Sequence, residues 1–236
     1  MLRGPQNLPA NVQAVRARIA AAAARAGRSV DSVTLVAASK AQPLAAIEAA
    51  AREGIGHFGE SYVQEALGKI SAAPSGIVWH FIGQLQSNKT RSVAEHFSWV
   101  HSVDRISLAQ RLAAQRPYHA PPLQVCIQVN LAGEPRKAGA APGELAALAG
   151  AIAALPRIRL RGLMCLPPPE SELSRQRHWF AALRELLQDL NSGGAGLDTL
   201  SMGMTDDFEA AVLEGATHVR IGTALFGPRP PKAAER

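Results

Sequence analysis

The fold of this chain is decided by an apolar run that ends in a lysine. Residues 33–40 read VTLVAASK, and small and β-branched residues in a run of this length predict a buried strand. From this point onward the chain alternates strand-like and helix-like segments. Eight strands are predicted, at residues 33–39, 57–60, 78–82, 99–103, 123–129, 159–166, 199–202 and 218–225.

Helices are predicted before the first strand and in every connection between strands. An Ala-rich helix at residues 9–26 leads the chain, and Gly27 closes it. The last connecting helix carries a predicted capping pair, Asp206 and Glu209. The connecting helices are predicted at residues 43–54, 63–70, 88–96, 104–115, 143–154, 172–190 and 206–214.

This alternation predicts an α/β fold, a single (β/α)8 TIM barrel with an extra N-terminal helix. Helical crossovers make the strands parallel, and eight strand–helix pairs can close into a barrel. A doubly wound open sheet is the alternative, because counting strands does not show closure. No linker divides the chain, so residues 1–236 are predicted to form one domain, with a core at about 30–227 and a loose tail at 228–236.

The composition excludes several classes of function. With 47% hydrophobic and 19% charged residues, the chain is typical of a soluble globular protein, and it lacks an apolar stretch of about 18 residues that could span a membrane. The net charge of +6 is dispersed, as at residues 157–161, so no nucleic-acid partner is expected. Residues 1–5 lack a signal core, and Cys126 and Cys165 lie inside predicted strands, which together indicate a reducing cytoplasm.

Lys40 is the first candidate functional residue. The chain has five lysines and twenty arginines, and only a lysine can lose its proton and attack a carbonyl. Ala38, Ser39 and Ala41 leave space for a ligand beside the amine. The alternative is an ordinary lysine that extends from a strand end into water.

Two glycine-containing segments at the last two strands predict a phosphate site. Barrels of this kind bind phosphate after strands seven and eight, where residues 201–205 read SMGMT and residues 220–224 read RIGTA. Gly222 allows close backbone approach, Ser201 and Thr223 offer hydroxyl groups, and strand alternation points Arg220 toward the barrel mouth. Turn glycines and a surface arginine are the alternatives. An amine and a phosphate site together predict a phosphorylated aldehyde, either pyridoxal 5′-phosphate (PLP) or a phosphosugar.

The residues themselves resemble the YggS/PROSC family of pyridoxal phosphate homeostasis proteins. The resemblance covers residues 33–227 and implies a single barrel similar to the N-terminal domain of alanine racemases. The matching stretches are ASK at 38–40, FGE at 58–60, YVQE at 62–65, WHFIG at 79–83, LQSNK at 85–89, HSVD at 101–104, RGLM at 161–164, SMGM at 201–204, DDFEAA at 206–211 and GATHVRIGTALFG at 215–227.

The resemblance implies roles for individual residues. Lys40 would form an aldimine with PLP, while Ser201, Gly222 and Thr223 would hold the phosphate. Arg220 would lie at the pyridine nitrogen, with a phosphate contact left open. Three further residues are candidate cofactor contacts: Met202, His80 and Ser61, which replaces the usual family asparagine.

The predicted strands carry histidines that are not expected to bind a metal, and two of them, His80 and His101, could approach the cofactor ring. His57, His80 and His101 lie on three strands without the spacing of metal ligands, so we expect core or rim histidines and no metal. Lys89 and Lys137 match family lysines and are expected at the surface.

A PLP carrier without robust catalysis is the favoured function. A guanidinium beside the pyridine nitrogen disfavours its protonation and weakens the cofactor as an electron sink. No second domain is expected. Tyr62 is expected to be a packed aromatic, and neither Tyr62 nor Tyr118 is expected to oppose Lys40. We therefore expect a carrier that holds PLP and supplies PLP-dependent apo-enzymes, which agrees with what the resemblance implies, and we expect it to be a monomer. The alternatives are a weak amino-acid racemase and a phosphosugar aldolase.

Overall fold

The computed structural model describes residues 7–135 and 137–228. Eight parallel strands follow one another in sequence order around a closed barrel, and β1 pairs with both β2 and β8. The predicted barrel is therefore confirmed, and an open sheet is excluded. The strands are β1 (Thr34–Ala38), β2 (His57–Glu60), β3 (Val78–Phe81), β4 (Trp99–Val103), β5 (Leu123–Val129), β6 (Ile158–Cys165), β7 (Thr199–Ser201) and β8 (His218–Ile221).

Helices cover the outside of the barrel, and apolar residues fill the layer between helices and strands. Among the described residues, no helix is both long and apolar enough to cross a bilayer. The helices are α1 (Leu8–Arg25), α2 (Leu44–Arg52), α3 (Val63–Ala72), α4 (Thr90–His96), α5 (Ile106–Gln115), α6 (Leu145–Ala153), α7 (Leu173–Ser192), α8 (Phe208–Leu213) and α9 (Thr223–Phe226), and short 3-10 turns cover Val30–Ser32, Ser87–Lys89 and Pro142–Glu144.

The prediction for strand β8 was wrong at its end. The strand stops at Ile221, and Thr223–Phe226 forms α9. The amides of Leu225 and Phe226 donate to the carbonyl of Gly222, both at 2.9 Å. These local hydrogen bonds turn the chain away from the sheet directly after β8.

The predicted capping pair of α8 was also wrong. The helix begins at Phe208, and no side chain caps it. Asp207 instead accepts a hydrogen bond from the amide of Met204 at 2.6 Å. Glu209 pairs with Arg18 of α1 at 3.1 Å, so this carboxylate fastens the leading helix to the barrel.

The interior of the barrel contains buried polar side chains, among them His80, His101 and Ser201. Trp99, Cys126 and Met164 form a small apolar cluster there, separate from the main core. Both cysteines are free and buried, as predicted. The predicted loose tail lies outside the described residues beyond Pro228.

Candidate cofactor site

Lys40 stands in the turn after β1, two residues beyond the strand. It is half-buried, and its neighbour Ala41 has a φ of 61°, a left-handed conformation that non-glycine residues rarely adopt. The amide of Ala41 donates to Glu65 Oε1 at 2.7 Å, and the carbonyl of Ser39 accepts from Lys69 Nζ at 2.8 Å. The backbone is thus held by hydrogen bonds on both sides of Lys40.

A buried ion network supplies these two contacts. Lys69 Nζ lies 2.8 Å from Glu60 Oε1 and 2.5 Å from Glu65 Oε1, and Ser39 Oγ donates to Glu60 Oε1 at 2.6 Å. Burial raises the pKa of the Glu60 carboxyl, and the hydrogen bonds from Lys69 and Ser39 oppose this shift. Because Glu60 is fully buried, the network depends on Lys69 to balance its charge.

Four of the predicted site residues line one cavity. A cavity of about 220 Å³ at the C-terminal end of the barrel is lined by Lys40, Arg220, Gly222 and Thr223 among others. A Cβ placed on Gly222 would lie 3.2 Å from the carbonyl oxygen of Ala38. Glycine therefore lets the end of β8 approach the end of β1 closely, which brings Lys40 and Thr223 to the same opening.

Ser201 and Met202 do not line this cavity, and both are fully buried. Arg220 Nη1 donates to Ser201 Oγ at 2.7 Å, and its Nη2 donates to the carbonyl of Cys165 at 2.9 Å. The guanidinium thus forms part of the cavity wall, and Ser201 stands behind it inside the barrel.

A chain of histidines continues from Ser201 through the barrel interior. His101 Nδ1 lies 2.7 Å from Ser201 Oγ, and its Nε2 lies 2.9 Å from His80 Nδ1. His80 Nε2 in turn lies 2.9 Å from Nδ1 of His57. The three histidines therefore connect the half-buried His57 at the start of β2 with Arg220 below the cavity.

The tilt of the barrel explains this alignment. His80 pairs in register with Gly59 of β2 and with Trp99 of β4. In this register, His80 lies two residues closer to the C-terminal end of the barrel than His57, and His101 lies two residues closer than His80. The three histidines were predicted on separate strands, and the strand tilt of a closed barrel, added to the sequence pattern, could have connected them.

The interior histidines are neutral at pH 7. Burial lowers the pKa of His80 and of His101 well below the ordinary value, and it lowers the pKa of His218 to about 4. Neutral rings avoid repulsion between the histidines and the Arg220 guanidinium. Among the described residues, no group of three His, Cys, Asp or Glu side chains could hold a metal ion.

A second cavity, of about 570 Å³, adjoins the first and shares Lys40 with it. Ser61 and Lys89 line this second cavity. Lys89 is half-buried, whereas Lys137 is exposed as predicted and pairs with Glu134 at 2.7 Å. Tyr62 also lines the cavity, but 59% of the residue is exposed, so the expectation of a packed aromatic was wrong.

Comparison with known proteins first defines the class. The sequence profile of the alanine racemase N-terminal domain matches residues 10–230. The barrel also superposes on an alanine racemase of Clostridium difficile 630 with a TM-score of 0.74 at 15% identity, covering 96% of this chain and 58% of that one. A racemase-type barrel with a lysine after its first strand is therefore the class to which this protein belongs.

Closer relatives define the family. The chain is 59% identical over 220 residues to a pyridoxal phosphate homeostasis protein of Pseudomonas aeruginosa, covering 93% of this chain and 94% of the relative. It is 50% identical to the protein of the same name from Escherichia coli K12, with 93% and 95% covered. PipY of Synechococcus elongatus PCC7942, solved with PLP bound, matches at 36% identity with a TM-score of 0.81, covering 93% of this chain and all of PipY. The chain belongs to the pyridoxal phosphate homeostasis protein family.

Proposed function

We propose that this protein binds PLP in the 220 Å³ cavity, as a Schiff base with Lys40, and serves as a carrier that keeps the cofactor available. The main observation behind this proposal is that the Lys40 amine, the Arg220 guanidinium and the Gly222–Thr223 turn line the same cavity. These groups match the aldehyde, the pyridine nitrogen and the phosphate of PLP. PLP bound to the 36% identical PipY supports the proposal.

The residues around the opening divide the recognition of PLP among them. Gly222 and Thr223 would bind the phosphate through backbone amides and the threonine hydroxyl. Arg220 would donate to the pyridine nitrogen. Ser201, expected as a phosphate ligand, has its hydroxyl engaged by Arg220 and His101, so we assign it the task of holding Arg220.

The other predicted contacts receive indirect roles. Met202 is fully buried beside Ser201, and His80 is the middle member of the histidine chain. Both would support the cavity wall from behind. Ser61 lines the adjoining cavity together with Lys40, so it would face the open side of the bound cofactor rather than its phosphate.

Arg220 also favours storage over catalysis. PLP, when bound, supplies an electron sink that is strongest with a protonated pyridine nitrogen. The Arg220 guanidinium would donate to that nitrogen and so disfavour its protonation. Tyr62 is exposed, and no hydrogen bond to a described residue orients its hydroxyl as a base opposite Lys40.

The cellular part of the proposal is delivery of PLP to dependent apo-enzymes by a monomer in the cytoplasm. The two free, buried cysteines are consistent with a reducing compartment. Half-burial of Lys40 is consistent with reversible loading, because the amine stays within reach of a recipient.

An absorbance titration with PLP tests the proposed function. The wild-type protein is expected to become yellow with one PLP per chain, and Lys40→Met is expected to stay colourless. Arg91→Met, which removes an exposed cation, serves as the control and is expected to bind as the wild type does. Equal colour in Lys40→Met would contradict the proposal.

The same preparations separate the two alternatives. A racemase would convert L-alanine to the D-enantiomer with sustained turnover, and Tyr62→Phe would reduce that rate. An aldolase would remain colourless with PLP and would be trapped by borohydride only with a sugar phosphate. The carrier is expected to give neither result.

A further inference from the structure

The cavity beside the proposed PLP site carries positive charge only. Its charged lining residues are Lys40 and Lys89, and no Asp or Glu is among the described residues that line it. Polar neutral groups complete the wall: Ser61 and the amides of Gln64, Gln84 and Gln86. A cavity with two ammonium groups and several hydrogen-bond donors favours an anionic ligand.

Lys89 differs from Lys69 and Lys137 in its charge partners. Lys69 pairs with Glu60, and Lys137 pairs with Glu134. Lys89 is half-buried at the end of the 3-10 turn before α4, yet among the described residues no carboxylate lies within ion-pair distance of it. A cation partly removed from water is stabilised by a bound anion.

The cavity is built into the fold between two loops that touch. A Cβ placed on Gly83 would lie 2.7 Å from the Cα of Ser61. The turn after β3 therefore packs directly on the turn after β2, and this contact forms one wall. Leu166 and Ile82 are shared with the first cavity, so a ligand here would lie next to a molecule bound at Lys40.

We propose that this cavity binds the carboxylate group of a small molecule, with Lys89 as its counter-ion. The chemistry is shared by free organic acids and amino acids, and the cavity is large enough for either. Binding of the carboxylate does not depend on the proposed function, but its effect on PLP does. A carboxylate bound here would alter the surroundings of Lys40. Since coupling is reciprocal, it would also alter the affinity for PLP.

Calorimetric titration of the cofactor-free protein at constant ionic strength tests the binding. The probes are acetate, glycine, ethylamine and inorganic phosphate. Acetate or glycine is expected to bind, and Lys89→Met is expected to weaken that binding at least tenfold. Lys137→Met is the matched control, because it removes an exposed lysine, and it is expected to bind as the wild type does.

The arms of the titration identify the source of the carboxylate. Equal binding of acetate and glycine assigns organic acids, and tighter binding of glycine assigns amino acids. Binding of ethylamine or phosphate in preference to both carboxylates would overturn the proposal. Unchanged affinity in Lys89→Met, with an unchanged thermal midpoint, would also overturn it.

Borohydride labelling of the same proteins with PLP keeps the two proposals apart. If Lys40 is labelled and no carboxylate binds, only the second site is disproved. If Lys40 is not labelled, the proposed function fails, whatever the carboxylates do.

Discussion

Arg220 donates a hydrogen bond from Nη1 to Ser201 Oγ over 2.7 Å, directly behind the cavity that Lys40 lines. Because an arginine only donates, Ser201 accepts this bond and can give its own proton to His101 Nδ1 at 2.7 Å. His101 then donates from Nε2 to His80. In this arrangement each proton takes part in one hydrogen bond, and the Ser201 hydroxyl accepts from Arg220 and donates to His101.

Ser201→Ala tests whether the hydroxyl holds Arg220. The change leaves Arg220 Nη1 and His101 Nδ1 buried without partners, so the free energy of unfolding should fall by about 1–3 kcal/mol. PLP affinity should fall as well, since the guanidinium is no longer fixed at the cavity wall. Urea unfolding and absorbance titration measure the two effects.

The matched control is Ser192→Ala at the exposed end of α7, where the hydroxyl bonds only the carbonyl of Gln188. It should change the free energy of unfolding by less than about 0.5 kcal/mol. If Ser201→Ala behaved like Ser192→Ala in both assays, Arg220 would not depend on Ser201.

Stability should decrease in mild acid because of the buried histidines. Their pKa values are lowered in the folded state, so below the unfolded value of about 6.5 the unfolded chain binds more protons than the native one. The histidine contribution is therefore complete above pH 6.5 and is lost as the pH falls. His80, His101 and His218 together should account for a loss of about 4 kcal/mol between pH 7.5 and 5.5.

Variants are needed to separate the histidine contribution from that of the carboxyl groups. Burial raises the pKa of Glu60 and Asp207, and these raised values increase stability as the pH falls. His101→Gln should reduce the pH slope of the urea midpoint, whereas His119→Gln, at an exposed position, should not. A slope that is identical in all three proteins would show that His101 is not kept neutral by folding.

Lys69→Met tests the ion network that holds the turn of Lys40. It leaves the buried Glu60 carboxylate without its counter-ion, so the free energy of unfolding should fall by about 3–5 kcal/mol. The carbonyl of Ser39 also loses its donor, so PLP binding should weaken. Chemical unfolding and PLP titration measure these effects.

The double variant Lys69→Met/Glu60→Gln separates charge burial from packing. A neutral amide in place of the carboxylate should restore part of the lost stability, because no unpaired charge stays buried. A double variant less stable than Lys69→Met alone would mean that the pair acts through packing and not through charge.

Much of the site follows from the sequence because of topology. Lys40 follows β1, and Arg220, Gly222 and Thr223 lie at the end of β8; closing the barrel makes these two strands neighbours. The order of strands along the chain therefore suffices to bring the amine to the glycine–threonine turn, without knowledge of side-chain packing.

Other features depend on hydrogen bonds, strand register and loop contacts that cannot be predicted from the sequence pattern alone. The segment TALF at 223–226 is apolar enough for a strand or a helix, and only hydrogen bonds to Gly222 decide for α9. The histidine chain requires the register between strands. The cavity at Lys89 depends on the contact between Gly83 and Ser61, two loop residues on separate strand–helix connections.

The most direct test of the proposed function is borohydride reduction of the PLP-loaded protein, followed by proteolysis and mass spectrometry. Reduction makes the bond between PLP and a lysine permanent, and the account predicts one label per chain on the peptide that contains Lys40. A label on a different lysine, or no label on a protein that binds PLP, would contradict it.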